Sequence, residues 1–135
     1  MQFDTKIAVI VREDLQAWQK LNVTAFTMSG VAGLPDMLGE PYEDGSGRRY
    51  LPMIRQPILI FAATPEELRV AYDRATTSDA VCSIYIDDLF ATPHDEANRA
   101  AVRAHPSDSL PLAGMACRGR KKVMDRVLKG LRLHP

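Results

Sequence analysis

Residues 6–34, KIAVIVREDLQAWQKLNVTAFTMSGVAGL, decide the fold. Ile7 to Val11 is an unbroken apolar and largely β-branched run, the pattern of a strand covered on both faces. It therefore belongs inside a sheet. Asp14 ends the run and can cap a helix starting near Leu15, because its carboxylate can accept the orphan N–H groups of a first turn. Leu15, Trp18, Asn22, Ala25, Phe26 and Ser29 recur at three- and four-residue spacing and predict the face laid against that sheet. Asn22 is its polar member. Leaving the amide unsatisfied would cost about 1–3 kcal/mol, so it either bonds a neighbouring loop backbone or holds a ligand in a pocket. Beyond Phe26 the side chains shrink at Thr27, Ser29, Gly30, Ala32 and Gly33, which predicts close approach by another backbone or, as the lesser alternative, a cofactor.

Downstream, residues 33–57 are rich in Pro, Gly and charge, and Met37–Tyr42 and Arg48–Met53 flank the turn residues EDGSG. An inserted β-hairpin over about 37–53 is predicted. Ile58 to Ala63 is the second core strand, and Thr64-Pro65-Glu66-Glu67 is a capping box with proline in the first helical turn. Ala80 to Phe90 reads as a third strand ending in Asp87 and Asp88. A short helix over Asp95–Ala104 follows, then a last strand over Leu110–Cys117, in which Gly114 lets a bulky group come close. The final helix starts near Gly119, with Val123, Val127, Leu128 and Leu131 as its apolar stripe. Alternating strands and helices predict a single α/β domain over 1–135: a three-layer sandwich with a four-stranded, mixed, mostly parallel sheet and helices on both faces.

The 135 residues carry 17 basic and 17 acidic side chains, so the whole molecule has no general attraction for nucleic acid or membrane. No signal-peptide pattern or long apolar run is present in MQFDTK or after it, and a cytoplasmic protein is expected. Cys82 and Cys117 read as reduced core residues rather than a disulfide framework. His94, His105 and His134 lack metal-ligand spacing, so neither metal nor other cofactor is expected. His94-Asp95-Glu96 is either solvated loop charge or a small proton-transfer group with Asp87 or Asp88. From Arg118 onward seven basic residues stand against Asp125 alone. Arg118, Arg120, Lys121 and Lys122 at a helix start can contact phosphate or RNA; a solvated face or an intersubunit contact is the weightier reading.

Three stretches taken together, KIAVIVREDLQAWQKLNVTAF, PILIFAATPEELRVAYDRA, and IDDLFATP with LAGMACRGRKKVMDRVLKGLRLH, resemble the domain-of-unknown-function 2000 family. The resemblance implies a fold like that of the archaeal and eukaryotic type 2 peptidyl-tRNA hydrolases and, by analogy, a homodimer. Against the hydrolase pattern the lysine position falls on Leu21 with Lys20 one residue away. Ala25 and Met28 stand where a glutamine and a histidine would be. Asp88 and Thr92 keep the aspartate and threonine four residues apart. The expectation is a domain binding a small ligand or partner through Asn22, Asp88 and Thr92 without the usual hydrolase site. The alternative is a hydrolase of peptidyl-tRNA or a related ester, with Lys20, Asp88 and Thr92 as its catalytic candidates.

Overall fold

A computed structural model describes residues 3–135. The opening run forms β1 (Thr5–Arg12), followed by α1 (Ala17–Ala32). The capping residue of α1 is Gln16, whose backbone N–H donates to the Gln19 side chain, whereas Asp14 pairs with Arg12. A two-residue hairpin, β2 (Tyr42–Glu43) and β3 (Arg49–Tyr50), lies inside the predicted insertion, and Leu38 bridges Ile54 at its base. Asp44 organises its turn by accepting the N–H groups of Ser46 and Arg48 and the Tyr50 hydroxyl, with Gly47 at φ 85°. Then come β4 (Ile58–Ala63), α2 (Pro65–Thr76), β5 (Val81–Ile86), a 3-10 turn (Asp87–Ala91), α3 (Asp95–Arg103), β6 (Leu112–Arg120), α4 (Lys121–Val127) and β7 (Arg132–Leu133).

Among the described residues the main sheet has five strands in the order β5-β6-β1-β4-β7, not four. Nor is it mostly parallel: only β1 and β4 run together, while β6 is antiparallel to both β1 and β5, and β7 to β4. The chain leaving β5 returns beside it as β6 instead of crossing over. Alternate residues of β1 enter two cores, as the two-residue period of a strand requires. Ala8 and Ile10 pack with Leu68, Ala71 and Tyr72 of α2 and with Val123, Met124 and Val127 of α4. Ile7, Val9 and Val11 pack with Val23, Met28 and Val31 of α1.

The face that α1 buries is Val23, Thr27, Met28 and Val31, not the predicted one. The spacing is legible in the sequence and the phase is not. Trp18 and Phe26 are 52% and 59% exposed, because the helix seats on Val23, Thr27, Met28 and Val31 and its aromatic ridge is turned aside. Gly30 lies so close to β5 that an added Cβ would stand 3.0 Å from that of Ser83, whose hydroxyl donates to the Thr27 carbonyl.

At α2 the predicted capping box forms reciprocally: the Thr64 hydroxyl accepts from the Glu67 N–H at 3.1 Å, and the Glu67 carboxylate accepts from the Thr64 N–H at 2.9 Å. The Thr64 backbone bond holds the Glu67 carboxyl below its ordinary value. A lowered carboxyl supports the fold above its unfolded pKa and loses that support as pH falls through the folded value. Thr64→Ala keeps the backbone bond to the Glu67 carboxylate but removes the hydroxyl that accepts the Glu67 N–H, and is expected to cost about 1 kcal/mol near neutral pH, read as a lower urea midpoint.

Candidate functional site

On α1, Trp18, Asn22 and Phe26 succeed one another at four-residue spacing, forming a ridge beside the buried stripe. Tyr85 rises from β5 on the α1 side of the sheet. The 3-10 turn then folds Leu89 and Phe90 back toward α1, and Thr92-Pro93-His94 leads into α3. His94 opens that helix, its Nδ1 accepting the Ala97 N–H at 3.1 Å. A groove of about 390 Å³ remains between α1 and this returning segment. Its wall is aromatic: Trp18 meets Phe90 edge-on at 5.7 Å between centroids, and Tyr85 lies 4.9 Å from Phe90 and 6.2 Å from Phe26.

Polar groups break that wall at Asn22, Thr92, His94, Asp95 and Asn98. Thr92 is committed within the protein, bonding the Leu89 carbonyl at 3.0 Å and the Asn98 side chain. Among the described residues the Asn22 side chain, which is half-buried, makes no hydrogen bond within the protein and lines the groove. The groove continues past Phe26, Tyr85 and Asn98 into a wider opening bounded by Gly30, Ser83, Arg99 and Arg103.

The other sequence candidates lie elsewhere. Asn22 and Thr92 share the groove, but Asp88 does not join them: its carboxylate meets His105 Nε2 at 3.2 Å. Lys20 is on the opposite flank of α1, with its Nζ 3.1 Å from His134 Nε2, in an apolar recess of about 380 Å³ shared with Val11, Leu21 and Ile60. Ala25 is exposed and Met28 is in the core. The suggested proton-transfer group does not assemble either. His94 caps α3, and Asp87 binds Arg12 at 2.9 Å. In the basic segment Arg120 pairs with Asp79 at 2.8 Å, Lys121 and Lys122 are exposed, and Arg118 is half-buried with an unpartnered Nε. The aromatic wall has no signature of its own in the sequence, because the spacing of Trp18 and Phe26 fits a sheet-facing stripe equally well.

Fold and groove together define a mixed α/β domain with an aromatic-walled cleft beside its edge strand. The chain belongs to the DUF2000 family, described as proteins of unknown function, whose model matches residues 5–135. It is also similar to a solved structure of a protein of unknown function from Agrobacterium tumefaciens. The two are 47% identical, with a TM-score of 0.96, over 99% of this chain and 100% of the other. No curated protein matches. Among the described residues, no helix is long and apolar enough to cross a membrane.

Proposed function

We propose that this protein is a binding domain whose groove takes a small molecule bearing a flat ring with a hydrogen-bonding edge. The unpartnered Asn22 amide in an aromatic wall carries this reading. Aromatic side chains favour a ring in offset or edge-on contact, and an amide offers both donor and acceptor to the ring's edge. The fold is proposed to be like that of the type 2 peptidyl-tRNA hydrolases. Ester hydrolysis would need Lys20, Asp88 and Thr92 around one substrate. Lys20 lies against His134, Asp88 against His105, and Thr92 alone lines the groove, an arrangement that favours binding over hydrolysis.

A thermal-shift panel of nucleosides and N-acylated aromatic amino acids tests the proposal. A ligand at 100 times its Kd adds about 2.7 kcal/mol of stability, a readily measured rise in Tm. The rise is expected in the native protein and lost in Asn22→Ala and Phe90→Ala. A panel without effect would remove the support for this ligand class. Release of tRNA from an N-acylated aminoacyl-tRNA, abolished by Asp88→Ala, would replace binding with hydrolysis.

A further inference from the structure

Cys82 and Cys117 are separated by 34 intervening residues yet stand directly opposite each other in the antiparallel β5–β6 pair. Both thiols are free, as expected, but only Cys117 is in the core; β6 returns beside β5 and brings the second cysteine back onto the first. Opposed antiparallel residues have Cα atoms about 4.5 or 5.5 Å apart, according to their place in the ladder. Both distances fall inside the roughly 4.4–6.8 Å span of disulfides, and opposed side chains share one face of a sheet. Accessibility divides the pair, since Cys82 is exposed and Cys117 is fully buried.

We propose that Cys82 and Cys117 are a peroxide-oxidisable dithiol, with Cys82 the attacking thiolate and Cys117 the resolving thiol that closes a reversible cross-strand disulfide. The Cys82 sulfur attacks one oxygen of a hydroperoxide and the O–O bond breaks. An alcohol, or water from hydrogen peroxide, departs with a proton, leaving a sulfenic acid on Cys82. The Cys117 sulfur then attacks the Cys82 sulfur, the S–O bond breaks, and hydroxide leaves as water with the Cys117 proton. Two thiols and one hydroperoxide thus become one disulfide, one alcohol and one water. The shared hydrogen bond with Cys117 pulls the Cys82 thiol down to about 7, while that bond and burial push Cys117 up. Attack from Cys82 is the order this asymmetry favours. The disulfide ties both ends of the segment that carries Tyr85, Phe90, Thr92 and Asn98, the groove's wall opposite α1.

The test treats the whole protein with a small excess of hydrogen peroxide, quenches with catalase, denatures, alkylates with a maleimide and measures intact mass. The native protein is expected to lose both alkylatable thiols together and two hydrogens of mass, and dithiothreitol is expected to restore both. In Cys82→Ser, whose change is at an exposed position, Cys117 is expected to keep its thiol through the same treatment. Loss of one thiol only, oxygen retained on Cys82 while Cys117 still alkylates, or a disulfide joining two chains on a non-reducing gel would each overturn the proposal. So would unchanged labelling of both cysteines.

Discussion

Gly114→Ala is expected to lower stability by about 3 kcal/mol, seen as a fall in the urea midpoint with the slope unchanged. Gly114 sits in β6 opposite Val11 and Tyr85, where α1 crosses the sheet. An added Cβ would stand 2.5 Å from Val23 Cγ1 and 2.7 Å from the Ile10 carbonyl oxygen. Neither neighbour can yield cheaply. Val23 is fully buried in the α1 core, and Ile10 belongs to the central strand. Replacing a strand glycine returns about 0.5–1 kcal/mol through the unfolded chain, too little to offset two such contacts. Adding Val23→Ala is expected to recover part of the loss by clearing the first contact while the backbone carbonyl remains in the way. That partial recovery separates steric conflict at α1 from a general weakness of β6.

The close approach at Gly114 is legible in the amino-acid sequence, since a glycine in the apolar run LPLAGMAC has few other reasons to be there. The same holds for β1, the α2 capping box and the hairpin turn at Asp44, each specified by residues adjacent in the chain. Sheet direction is not legible in this way. Antiparallel placement of β6 depends on where a 25-residue excursion brings the chain back, and β7 is a two-residue strand paired through Phe61–Leu133 and Ala62–Arg132. A pairing so short leaves no periodicity to read.

The site is half legible for a related reason. Asn22 stands out because polarity on an apolar face demands an explanation, and it does line the groove. Its aromatic neighbours raise no such question, since Trp18 and Phe26 suit a core as well as a cleft. Helical spacing gives a stripe its period but not its azimuth. The azimuth comes from Thr27 and Gly30, which let α1 seat against Ser83 of β5 and so rotate the ridge outward. Asp87 and Asp88 illustrate the converse. Adjacent carboxylates at a strand end suggest one site, and each is claimed by a different cation or ring: Arg12 for Asp87, His105 for Asp88.

Tyr85→Ala is expected to cost about 3–5 kcal/mol, the range for emptying a buried aromatic site. Tyr85 is 6% exposed and belongs both to the α1 core and to the aromatic wall, so its removal opens a void that reaches the groove. Tyr85→Phe keeps the ring and is expected to stay within about 1 kcal/mol of the native protein. The phenylalanine variant isolates a second effect. Burial raises the Tyr85 phenol above its ordinary value of 10.0, so the folded chain holds that proton more tightly than the unfolded chain. The resulting stability is complete below pH 10 and is lost as pH rises through the folded value. Urea midpoints measured across that interval should fall in the native protein and fall less in Tyr85→Phe. Tyr50 is raised as well, by its hydrogen bond to Asp44, so Tyr50→Phe is the control. An alkaline slope that disappears with Tyr50 and persists without the Tyr85 hydroxyl would place the titration in the hairpin and refute its assignment to the groove wall.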